Sequence, residues 1–65
     1  MTCDDYRAML KAWGLTPARP AFERHTLYQT REGQFTTAPD PEWMTEEERV
    51  AALAFIALRL GIERQ

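Results

Sequence analysis

The chain has 65 residues, 45% of them hydrophobic and 28% charged, which is enough for one globular domain and too apolar for a disordered segment. Its single cysteine and single histidine exclude an intrachain disulfide and a structural zinc site, so no covalent or metal staple supports the small core. A formal net charge of −2 gives no general attraction to nucleic acid or to an anionic membrane, and the absence of serine and asparagine excludes a serine nucleophile and N-glycosylation.

The first predicted element is a helix over residues 3–13. Tyr6, Met9, Leu10 and Trp13 recur at the spacing of one helix face. Thr2 or Asp4 can cap the exposed amides, and Asp4 and Asp5 suit the positive end of the helix dipole. Gly14 is placed to end the helix in a left-handed conformation, with Leu15 folding back onto Leu10.

Residues 14–24 read as a stiff connector. Pro17 and Pro20 each fix their own φ and push the preceding residue out of the α region, and Phe22 is expected to anchor the segment to the core. Residues 25–38 read as a β-hairpin, because two runs rich in β-branched and aromatic residues flank Arg31-Glu32-Gly33. A three-residue loop with Gly33 in the left-handed position sets Tyr28 opposite Thr36 and puts Leu27, Phe35 and Thr37 on one face. A lone hairpin is barely stable in water, so one face must be covered, and the Leu27/Phe35 face is the expected one.

The last element is a helix over residues 45–60. Thr45 and Glu48 have the spacing of a capping box, Glu46, Glu47 and Glu48 match the helix dipole, and Gly61 marks the stop. The predicted fold class is therefore α+β, a single helix–β-hairpin–helix domain with the C-terminal helix central. That order is met in small phage and bacterial proteins of varied roles and transmits no function by itself.

The last helix is apolar nearly all round. Leu53, Ile56, Ala57 and Leu60 form one stripe, and Ala51, Ala54, Phe55, Leu58 and Ile62 form a second. So small a domain has few elements with which to surround a helix. The expectation is that one stripe packs in the monomer while the second meets a partner, most simply a second copy in a homodimer, or else a heterologous protein.

The remaining polar residues have plain structural readings. Glu46 to Glu48 are explained by the helix start rather than by catalysis or metal binding, and His25 lacks a paired nucleophile nearby in sequence. Cys3 reads as an inert thiol near the terminus. Most aromatics are expected in the core, with Trp43 the candidate for exposure and otherwise a staple at the last helix. Arg19, Arg24 and Arg31 are the candidate nucleic-acid contacts in the alternative reading. A helix-turn-helix is disfavoured, because Pro20 would fall inside its second helix.

No cofactor, metal site or catalytic constellation is evident, so the expected protein is non-enzymatic. The longest apolar run, residues 50–58, is too short to span a bilayer, and a cytoplasmic location is the default expectation.

Overall fold

The computed structural model describes residues 1–62. Helix α1 spans Cys3–Ala12, strands β1, β2 and β3 span Thr16–Pro20, His25–Gln29 and Phe35–Pro39, a 3-10 turn covers Pro41–Trp43, and helix α2 spans Glu46–Leu60. The sheet is an antiparallel meander in the order β1-β2-β3. The helix–hairpin–helix order predicted from sequence is present, and the domain is α+β.

Both helices begin with reciprocal caps. The Asp5 amide donates to Thr2 Oγ1 at 3.0 Å and the Thr2 amide to the Asp5 carboxylate at 3.4 Å. At α2 the Glu48 amide donates to Thr45 Oγ1 at 3.1 Å and the Thr45 amide to Glu48 Oε1 at 2.8 Å. Each helix ends on a glycine of positive φ, followed by an apolar residue whose amide reaches back: Leu15 to the Leu10 carbonyl and Ile62 to the Ala57 carbonyl. That return buries Leu15 beside Leu10.

The connector is the first correction. Thr16–Pro20 pairs with β2 as a third strand, with a register shift between Pro17 and Arg19. Its two prolines are tolerated because β1 is an edge strand, where an amide need not be donated. Ala21 N–H donates to the His25 carbonyl, so the alternation of the ladder turns the backbone of neighbouring Pro20 outward. Phe22, expected as an anchor, is 59% exposed, stacked on His25 in the β1–β2 turn with ring centroids 4.2 Å apart. Strand pairing holds this segment, and the turn carries Phe22 past the rim of the core.

The buried sheet face is the second correction. The hairpin register matches expectation, with Tyr28 opposite Thr36 and Leu27 opposite Thr37. The helices, however, cover Tyr28 and Ala38, while Phe35 is 59% exposed. Ala38 is small enough to let Tyr6 and α2 close on β3, and Tyr28 offers a ring as large as that of Phe35.

The core joins Tyr6 and Leu10 of α1, Leu15, Tyr28, Ala38, and Leu53 and Ile56 of α2. The Tyr6 hydroxyl crosses it to donate to the Pro39 carbonyl at 2.8 Å. Arg49 clasps three segments, its Nε donating to the Pro41 carbonyl at 2.9 Å and a terminal nitrogen to the Met1 carbonyl at 2.8 Å.

Candidate interaction surface

Helix α2 presents its two apolar stripes to opposite surroundings. Leu53, Ile56 and Ala57 are buried and Leu60 is half-buried, so the first stripe is the one packed on the core. Ala51, Ala54, Phe55 and Leu58 are exposed, and Ile62 at their C-terminal end is half-buried. With 3.6 residues per turn the two stripes face directions roughly 180° apart, so the core-facing elements cannot reach the second. Phe55 and Leu58 are 64% and 79% exposed, and Val50 on the flank of the stripe is 54% exposed.

One flank of this stripe is charged and ordered. The Arg59 guanidinium lies 5.7 Å from the centre of the Phe55 ring, a cation–π distance, and donates to the Thr37 carbonyl of β3 at 2.7 Å. Glu48 lies on the same flank three turns earlier, with one carboxylate oxygen accepting from the Thr45 cap. Phe55 is thus an exposed aromatic framed by an anion towards the N-terminal end of the helix and a cation towards its C-terminal end.

The aromatics divide differently from the sequence expectation that most would be core. Tyr6 and Tyr28 are buried and Trp13 is half-buried, whereas Phe22, Phe35, Trp43 and Phe55 are exposed. Trp43, named as the candidate for exposure, is 61% exposed, with the Arg24 guanidinium 4.5 Å above its ring. Arg24 itself adopts a positive φ of 61° in the β1–β2 turn.

The three arginines proposed to contact nucleic acid are not brought together. Arg19 pairs with Leu27 at mid-sheet, Arg24 lies in the turn before β2, and Arg31 lies in the loop after it, packed against Gly14. Five extended residues of β2 separate the last two, so they occupy opposite ends of the sheet. The His25 Nδ1 lies 2.9 Å from the Glu23 carbonyl, and the ring stacks on Phe22. Cys3 is a free, half-buried thiol in the first turn of α1. Among the described residues no cluster of three His, Cys, Asp or Glu side chains is placed to hold a metal ion, and no helix is long and apolar enough to cross a membrane.

Two tyrosines titrate out of their ordinary range. Burial, reinforced by Tyr28 and Asp40, pushes Tyr6 up to about 12, and burial likewise raises Tyr28. The hydrogen bond from Arg7 holds the Glu42 carboxyl below its usual value. Both phenols are therefore protonated at neutral pH, Tyr6 as the donor to Pro39. Comparison with protein-family models, with curated proteins and with solved structures finds no match to this chain.

Proposed function

We propose that the protein is a non-enzymatic interaction module that forms a homodimer through the outer stripe of α2. The observation that carries this reading is the exposure of Ala51, Ala54, Phe55 and Leu58 on the side of α2 opposite the core. A run of apolar side chains on one face of an already packed helix favours a partner surface.

The occupant we favour is a second copy, because the stripe is self-complementary. Antiparallel packing about a two-fold axis brings like flanks of the two helices together, so Glu48 of one copy meets Arg59 of the other. Arg59 keeps further N–H donors after binding Thr37, and the second oxygen of Glu48 is left by the cap. Ala51 and Ala54 allow close approach at the crossing, and the two Phe55 rings cover it. Antiparallel helices also align their dipoles favourably.

Sedimentation equilibrium over a concentration series tests the reading. The parent chain is expected to dimerise, and Leu58→Glu to sediment as a folded monomer with an unchanged circular dichroism spectrum. A parent that stays monomeric at millimolar concentration refutes self-association. Capture of a different protein that Leu58→Glu abolishes would reassign the same surface to a heterologous partner.

A further inference from the structure

Three strands are wider than the cover that two helices provide. Helix α2 lies against β3, and α1 packs beside α2 and the 3-10 turn, so all five residues of β1 remain exposed. Between α1 and the β1–β2 pair this leaves a cleft of about 440 Å³, within the size range of small-molecule sites.

Its floor is apolar, formed by Leu15, Pro17 and the Tyr28 ring. Its helical rim carries Arg7 and Lys11, four residues apart and hence on one face of α1. Thr26 lines the sheet side, its hydroxyl already donating to Asp40 at 2.7 Å. Among the described residues no carboxylate lines the cleft, although the chain as a whole is acidic. Arg7 is fixed at the rim by its ion pair with Glu42, which neutralises one charge while leaving other guanidinium donors. Lys11 has no ion-pair partner among the described residues.

One uncompensated ammonium above an apolar floor suits a single negative charge attached to an apolar body. A phosphate dianion would leave its second charge unmatched and the floor uncovered. We propose that the cleft between α1 and the β1–β2 pair binds a small amphiphilic monocarboxylate. Its carboxylate lies on Lys11 with help from Arg7, and its apolar body lies on Leu15, Pro17 and the Tyr28 ring.

Phenylacetate is a suitable probe, followed by amide chemical-shift changes in the full chain. Its size predicts a Kd of roughly a few millimolar. Shifts should concentrate at Lys11, Leu15 and Tyr28 and saturate. The neutral analogue phenylacetamide and the Lys11→Gln variant should each weaken binding about five-fold or more, while Lys11→Arg retains it. Lys11 is exposed, so these variants keep the fold, which the unperturbed spectrum verifies. The proposal is overturned by an absence of saturable shifts, by equal binding of phenylacetamide, or by inorganic phosphate binding at the same residues as tightly as phenylacetate.

Discussion

Tyr6→Phe removes one oxygen from the centre of the molecule, and its effect on stability should reverse with pH. Tyr6 is fully buried, and its hydroxyl satisfies the Pro39 carbonyl at 2.8 Å. Removing that donor at pH 7 should cost about 1–1.5 kcal/mol, the net value of a hydrogen bond whose acceptor loses its partner. In a chain this short the melting temperature should fall by roughly 4–8 °C per kcal/mol.

Alkaline conditions act in the opposite direction. The folded phenol has its pKa raised to about 12 from an ordinary value of 10.0, so its protonated form is favoured by the native state. The stabilisation linked to that shift is complete below about pH 10 and is lost as pH rises towards 12, because the unfolded chain ionises first. Over the full interval the loss approaches about 3 kcal/mol, and by pH 11 it is already about 1.4 kcal/mol. Phenylalanine has no proton to lose. The wild-type and Tyr6→Phe stabilities should therefore converge near pH 11, and the variant should be the more stable above it. Urea unfolding at pH 7, 9 and 11, followed by tryptophan fluorescence at low protein concentration, measures the gap. Tyr28 titrates in both proteins, so the difference between them reports Tyr6 together with its coupling to Tyr28. A gap that stays constant from pH 7 to 11 would refute a buried, hydrogen-bonded Tyr6 phenol.

Glu42→Gln should cost less than about 1 kcal/mol, because both partners of the Arg7–Glu42 pair are near half exposed and salt screens them. Since Arg7 depresses the Glu42 pKa, that contribution is present above the ordinary carboxylate range and vanishes as pH falls, so variant and wild type should coincide by about pH 2 in denaturant titrations. Gly14→Ala and Gly61→Ala should each cost about 1 kcal/mol, because both positions hold a left-handed φ. Gly14→Ala should cost the more of the two: an added Cβ would lie 2.5 Å from Arg31 Nε, whereas at Gly61 it would meet nothing within 4 Å among the described residues. Adding Arg31→Ala should erase most of that difference in the same assay.

The helices were legible because their signals are local. Thr45 and Glu48, and the glycines at 14 and 61, act within one turn of the chain, and the hairpin register follows from a loop only three residues long. Strand β1 was hidden because it buries none of its residues, leaving no alternation to read, and because proline argues against every strand position except an edge. The face of the hairpin was ambiguous for a related reason. Alternate residues supply either Leu27 with Phe35 or Tyr28 with Ala38, and only the helix packing above the sheet decides between them.

Both stripes of α2 were visible as apolar periodicity, but their separation into inner and outer depends on which elements share its core side. The cleft between α1 and β1–β2 left no trace in the sequence. Arg7 and Lys11 meet Tyr28 only through the fold, and β1 had to be a strand before there was an uncovered sheet to line.

Both margins of the sheet are blunted against further pairing. On β1, Pro20 turns outward without an amide to offer, while on β3 the outward carbonyls of Thr37 and Pro39 are held by Arg59 and Tyr6. Sideways polymerisation of native molecules therefore meets an incomplete template at each margin. Arg59 lies in the last turn of α2, where helices fray most readily, so the guard on Thr37 is the lock most easily opened. The lifetime of a concentrated solution should thus be governed by the breathing of one helical turn, long before the domain as a whole unfolds.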